Sequence, residues 1–343
     1  MLKGFCIKFL LVLFPVAAII SIVNYCVDPT NVYHSEEYAD MIINCFSASK
    51  NATNVMELND RIYKRKLAEA KRNSHVEYLV VGSSRVMTIS SDIIGANVLN
   101  LGMNSGNMYD LVTSYEICKE NDITFDKIII GLDYYSLANS DDDRWETNSK
   151  YFYHFLNEQD QPFHFNMFYD VLVNLFSLSY FQKSISSSFS ARDELKATDA
   201  LCNDTRTYHI DGSMCYQSEI RHRSQIDIDA KAESYYVKDC TVVNEKLVGY
   251  FEMMLEDLNK KGIEIYFYFA PYHPIYYSRI CQNETILDSD SRLHKIAEKY
   301  GVETIGSFDP NEVGCETSDF YDAAHPRTEK VNMIFQELFL KEK

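Results

Sequence analysis

Five short apolar runs, each closed by a turn signal, constrain this chain more than any other feature. They cover residues 78–81, 98–101, 127–132, 263–270 and 302–305. Stretches with helical character lie around them at 61–72, 108–121, 245–261 and 291–300, and Val331, Ile334, Phe335 and Leu338 recur at helical spacing in a last helix over about 327–342. A strand that is apolar on both faces has to be covered on both, so this alternation predicts an α/β fold: a parallel sheet between helical layers.

The first 28 residues are a different material. Lys3 and Lys8 precede an uncharged run over residues 9–23, which Asn24 and Asp28 close. Counted from Phe5 to Val27 the segment reaches the ~20 residues that span a bilayer, with Lys8 near one end. Lysines before the run and none close behind it place the N-terminus in the cytoplasm and the bulk of the chain outside the cytoplasmic membrane. The rival reading is a cleaved signal peptide, with Val16-Ala17-Ala18 as the cleavage sequence. Cutting there leaves a mature chain that starts on the apolar stretch from Ile19 to Val23, so a signal-anchor over 1–28 is the preferred reading, followed by an α/β domain over 29–343.

Within that domain the stretch of about 139–240 breaks the alternation. It opens on Asp141-Asp142-Asp143, holds the sole tryptophan, Trp145, and is rich in Tyr, Phe, Ser and His. It is expected to be a helical insertion between the third and fourth strands, forming a cap over the site or a partner surface. A formal charge of −17 repels phosphate backbones and argues against a nucleic-acid partner. The nine cysteines include no zinc-ligand spacing; pairs such as Cys202 with Cys215 are compatible with a disulfide, but spacing alone does not assign one.

Ligands of open parallel sheets bind beyond the carboxyl ends of the strands, and there the reactive residue types collect. Gly82-Ser83-Ser84-Arg85 follows the first strand, Asn100-Leu101-Gly102 closes the second, Asp133 the third, and Pro271-Tyr272-His273-Pro274 the fourth. Asp322-Ala323-Ala324-His325-Pro326 follows the fifth. Pro326 disfavours helix at His325 and suits the first position of the next helix, so His325 is expected on an extended loop. Asp322 then orients one ring nitrogen while the other faces Ser84, with His325 as general base, and the N–H groups of Ser84 and Gly102 hold the oxyanion. Arg85 is a candidate for an anionic substrate or for pairing with a carboxylate, and His273 for substrate contact or for loop packing.

These blocks resemble the SGNH (GDSL-like) hydrolase superfamily, and within it the membrane-anchored branch found with bacterial cell-surface polysaccharide genes. Its first block, Gly-Asp-Ser, stands here as Gly82-Ser83-Ser84; the glycine of its second matches Gly102; its last, Asp-x-x-His, matches Asp322 to His325. The likeness covers roughly 75–135 and 245–340. The third block, Gly-x-Asn-Asp, is absent: the chain has Gly131-Leu132-Asp133-Tyr134, leaving Asn104 or Asn107 to supply the amide that the family's asparagine donates. The resemblance implies a three-layer, flavodoxin-like sheet and a serine esterase or O-acyltransferase working through an acyl-Ser84 intermediate on an acylated surface glycan. It calls for no metal or organic cofactor. Implied partners are the acylated glycan or acyl donor, the cytoplasmic membrane and a membrane-bound O-acyltransferase. The alternative is a non-catalytic scaffold or glycan-binding partner in a polysaccharide modification complex, which the lost third block favours.

The topology can be tested directly. An impermeant protease added to sealed spheroplasts should digest the domain and leave the anchor in the membrane fraction; full protection until lysis would reject the exported orientation.

Overall fold

A computed structural model describes residues 2–138, 142–158, 165–189, 194–237 and 242–341. Its strands in chain order are β1 (Asn51–Thr53), β2 (His75–Val81), β3 (Val98–Asn100), β4 (Thr124–Leu132), β5 (Lys196–Thr198), β6 (Thr207–Tyr208), β7 (Met214–Cys215), β8 (Glu264–Phe269) and β9 (Glu303–Gly306). Five of them build a parallel sheet in the order β3-β2-β4-β8-β9, which counted along these five alone is 2-1-3-4-5. Each of the five apolar runs is one of these strands. The order reverses direction between β2 and β4, the point at which doubly wound sheets open a crevice.

Alternation along the strands divides the core in two. Leu79, Val81, Ile128, Ile130, Phe267 and Phe269 face one way and pack with residues of the helices Met108–Glu120, Glu245–Lys260 and Glu284–Tyr300, among them Val112, Phe251 and Leu293. Tyr78, Val80, Ile129, Tyr266 and Tyr268 face the other way, onto Val331, Ile334 and Phe335 of the last helix, Thr328–Lys341. The sheet is therefore covered on both faces, as its apolar strands require. The last helix starts later than Pro326 leads one to expect. Pro326 instead forms an isolated antiparallel bridge with Phe320, and the helix begins two residues on.

The insertion is not purely helical. Besides the helices Phe165–Phe176, Leu178–Phe189 and Gln225–Ser234 it contributes β5, β6 and β7, which join β1 in an antiparallel sheet ordered β5-β1-β6-β7. Its expected limits, Asn139 and Cys240, and the residues Asp141 and His164 lie outside the described residues. A disulfide joins Cys202 to Cys215. The turn between β6 and β7 shields the edge of the parallel sheet: Asn100 N–H donates to Asp211 O (2.7 Å), and the buried Lys64 ammonium donates to Asn100 O (3.0 Å) and Gly212 O (2.7 Å). Burial lowers the Lys64 pKa to about 8, against the pull of Asp60 and Asp211.

The N-terminal helix, Leu2–Val27, is the one described helix long and apolar enough to cross a membrane. Residues Lys8–Val27 have a mean hydropathy of 2.4, a property a signal sequence shares. Its carboxyl end docks on the insertion: Asn24, fully buried, donates to the carbonyls of Asn174, Leu175 and Ser177.

Gly212 is the sharpest constraint in the insertion. It sits at φ +88°, and a Cβ there would overlap the Asn100 carbonyl and Leu67. Gly212→Ala should lower unfolding stability by about 1–3 kcal/mol through strain and the displaced edge contact, read as a lower midpoint in urea.

Candidate active site

Ser84 opens a single 3-10 turn, Ser84–Val86, immediately beyond β2. The chain can turn so sharply because Gly82 adopts φ +152° and a side chain there would press on the Gly131 carbonyl. Val86 then drops into a socket formed by Gly82, Gly102 and Gly131; a Cβ on any of the three would crowd its methyl groups. Packing thus sets the pitch of the turn and leaves the Ser84 hydroxyl above the sheet end.

Across the strand ends, the loop before the last helix brings His325 to this hydroxyl. Ser84 Oγ lies 2.8 Å from His325 Nε2, and His325 Nδ1 lies 2.8 and 3.1 Å from the two oxygens of Asp322. A proton on Nδ1 satisfies both contacts, leaving Nε2 to accept from the serine. Asp322 Oδ1 also accepts the N–H groups of Ala324 (2.9 Å) and His325 (3.1 Å), which folds the Asp-x-x-His segment into a tight loop. Burial alone would raise the Asp322 pKa. Attraction to His325, their hydrogen bond and the two backbone donors outweigh it and hold the carboxyl well below the usual carboxylate range.

The insertion braces this loop. Arg223 Nη1 donates to Tyr321 O (2.7 Å), Arg327 Nη1 donates back to Arg221 O (2.8 Å), and the Tyr216 ring stands 6.0 Å from the imidazole, centroid to centroid. Beside Ser84 and His325 opens a cavity of about 300 Å³ walled by Tyr134, Tyr135, Tyr235, Tyr236, Tyr272 and Tyr276. Tyr235 and Tyr236 come from the insertion, so in part it does cap this end of the sheet.

The remaining candidates fare differently. Arg85 is 5% exposed and lines the cavity while held from behind: it donates from Nε to Ala324 O (3.1 Å), from Nη1 to Asp133 Oδ1 (2.8 Å) and from Nη2 to Ala270 O and Pro271 O (3.0 Å to the latter). Its guanidinium also lies 3.6 Å from the Tyr272 ring centroid. Of its two readings, pairing with a carboxylate is the one observed. His273 is completely buried; Nδ1 caps the helix Pro274–Ile280 by accepting from Ile275 N–H (3.2 Å), and Nε2 faces Asp229 at 3.3 Å. Burial lowers its pKa despite that carboxylate, and it does not line the cavity.

The oxyanion donors are also altered. Gly102 N–H donates to Asn100 Oδ1 (2.8 Å) and is already engaged, because the Asn100 side chain ties the Gly102 turn to the carbonyls of Val86 and Ile89. Asn104 N–H donates to Asp60 (2.9 Å), its carbonyl accepts from Arg61, and the cavity is lined from this loop by Ser105 instead. Asn107 is the N-cap of Met108–Glu120, with Nδ2 on Asp142 O. Ser84 N–H, at the head of its turn, has no acceptor within that turn and remains the candidate donor. Sequence reading missed Tyr216, Tyr235 and Tyr236; the aromatic density of the insertion was their only trace. His154, which does not line this cavity, pairs with Glu116 and Glu120.

Comparison of the sequence with protein-family models and with curated proteins finds no match.

The lowered Asp322 pKa carries a signed prediction. The stability it contributes is complete above the ordinary carboxylate value of about 4 and is lost as pH falls through the depressed value. Carboxyl-carbon NMR should find Asp322 ionised below the usual Asp range in the wild type and shifted upward in His325→Ala. An unchanged titration in that variant would mean the two side chains do not interact.

Proposed function

We propose that this protein is a membrane-anchored serine esterase or O-acyltransferase of the SGNH type. It would act outside the cytoplasmic membrane on acylated surface glycan through an acyl-Ser84 intermediate. The observation that carries this reading is the continuous relay Ser84–His325–Asp322, with 2.8 Å at both its imidazole contacts. The tyrosine-walled cavity beside it supports a sugar substrate, because phenol rings offer both an apolar face and a hydroxyl. The Cys202–Cys215 disulfide supports an oxidising compartment, and the apolar N-terminal helix supports the anchor.

In the first half-reaction the Ser84 hydroxyl passes its proton to His325 Nε2 as Oγ bonds to the acyl carbon. Negative charge collects on the former carbonyl oxygen, within reach of the Ser84 N–H, while Asp322 stabilises the imidazolium. The protonated Nε2 then delivers its proton to the departing sugar oxygen. In the second half, water or another sugar hydroxyl loses its proton to Nε2 and attacks the acyl carbon; the acyl–Oγ bond then breaks and Nε2 returns the proton to Oγ, which restores the serine. Hydrolysis and transfer differ only in that acceptor.

A second reading, a non-catalytic module that keeps this fold in a modification complex, is favoured by the engaged Gly102 N–H and by Asp133, which occupies the position of the family's asparagine and serves Arg85. Kinetics separate the two. On an acetyl ester, Ser84→Ala and His325→Ala should each lower kcat by roughly 10³-fold or more, the double variant should be little worse than either, and Asp322→Asn should lose less. A fluorophosphonate should label wild type and spare Ser84→Ala. Undiminished turnover in folded Ser84→Ala rejects the mechanism, and wild type that neither turns over nor labels leaves the scaffold reading.

A further inference from the structure

The helices Phe165–Phe176 and Leu178–Phe189 form a hairpin against the N-terminal helix that the proposed chemistry does not use. Two contacts set its direction. Tyr180 Oη donates to Asp28 (2.6 Å), and one turn further on Ser184 Oγ donates to Asn24 Oδ1 (3.4 Å), so the second helix runs antiparallel down the N-terminal one. Phe189, five residues beyond Ser184, therefore reaches about the level of Ile19. That level lies about 13 Å below Asp28, close to half of a ~30 Å hydrocarbon core.

The hairpin exposes apolar side chains along its length. Val171, Leu172, Val173 and Phe176 are exposed on the first helix, which lies level with the turn and above it, and Leu178, Ile185 and Phe189 on the second, Phe189 at 87%, interspersed there with exposed Ser179, Gln182, Ser186 and Ser188. From Val171 to Leu178 the sequence carries no charge; Asp170 stands just before it, and Lys183 pairs with Glu57 at 3.3 Å. Phe14, Ile19 and Ile22 are likewise exposed on the N-terminal helix against which both hairpin helices pack. Each hairpin helix has 12 residues, about 18 Å, too short to span a bilayer.

Backbone satisfaction points the same way. The end of a helix leaves carbonyls without intrahelical donors, and in hydrocarbon water is not there to serve them. Here Asn24 Nδ2 lies 3.0–3.1 Å from the carbonyls of Asn174, Leu175 and Ser177, so the hairpin turn is served from the anchor itself. Above it, Asp28 accepts the N–H groups of Val32, Tyr33 and His34, and Tyr25, Tyr33 and Tyr180 cluster where an aromatic belt would sit.

We propose that this hairpin is a membrane-embedded wedge: its apolar face lies among the acyl chains of the outer leaflet beside the anchor, holding the domain against the lipid surface. The proposal rests on the anchor reading given above. Lipid is the occupant because both helices pack on the anchor and the second descends from the level of Asp28 to about that of Ile19, a part of the anchor that acyl chains already surround.

The chain's single tryptophan provides the test. In a full-length Trp145→Phe background, Ile19→Trp, Phe176→Trp, Phe189→Trp and the aqueous reference Ile226→Trp, whose position is 81% exposed on the insertion, are placed in phosphatidylethanolamine–phosphatidylglycerol vesicles with or without brominated acyl chains. Phe189→Trp should lose emission to brominated lipid as fully as Ile19→Trp does, Phe176→Trp, at the level of Asn24, should lose it in part, and both should resist iodide, while Ile226→Trp should do the reverse. If the two hairpin positions keep their emission and yield to iodide while Ile19→Trp is quenched by lipid, the wedge is overturned and the anchor stands. Hairpin positions that neither quencher reaches mean that protein, such as a second copy, covers the face, and the wedge is again overturned. If Ile19→Trp also escapes brominated lipid, the anchor reading fails and takes the wedge with it. Because all the substituted hairpin positions are exposed, folding is not at stake, and circular dichroism verifies it.

Discussion

The Arg85 guanidinium is the joint on which this sheet end depends. It follows the proposed nucleophile directly in sequence, yet it reaches the end of β4 through Asp133, the end of β8 through the Ala270 and Pro271 carbonyls, and the histidine loop through the Ala324 carbonyl. Three segments far apart in sequence are thus held by one planar cation whose donors diverge in fixed directions. Burying that charge is tolerable only because a carboxylate and several carbonyls surround it; removing Asp133 would leave it uncompensated, a loss on the order of 3–5 kcal/mol. Asp133 therefore has a structural duty here: its carboxylate neutralises the joint.

What the joint assembles, the insertion steadies. The carbonyl of Tyr321 takes a guanidinium from Arg223, and Arg327 returns a bond to Arg221, so the loop bearing His325 is tied on its outer side as well. Tyr216, adjacent to the disulfide-bonded Cys215, stands beside the imidazole. A histidine one-fifth exposed keeps its orientation because both flanks are fixed.

Legibility from sequence followed the physics of burial. Strands β2, β4 and β8 are apolar because both their faces are covered, and such runs announce themselves without knowledge of their partners. Ser84, Asp322 and His325 were readable because residues at carboxyl ends of parallel strands converge whatever the loops do. The antiparallel sheet was not, since β1 and β5 are three residues each, polar, and paired across nearly 150 positions, with no periodicity to betray them. Nor could sequence tell that Gly102 N–H is engaged by Asn100, that His273 is a buried helix cap, or that Arg85 is paired with Asp133. Each of those depends on which neighbour arrives first at a hydrogen-bonding group, a matter of ångströms rather than of residue type.

The socket around Val86 has a consequence for how this chain can change over time. Three glycines from three different strand ends leave room for one valine, and the residue two places earlier is Ser84. Growth of any socket wall by a methyl group would be absorbed mainly by tilting the short turn, since the sheet beneath it is rigid and close-packed. At Gly82 the φ of +152° and the nearby Gly131 carbonyl add backbone strain to that crowding. Drift at Gly82, Gly102 or Gly131 would thus reach the spacing between Ser84 and His325 and the stability of the sheet end together, which ties the freedom of three distant strand ends to one short turn.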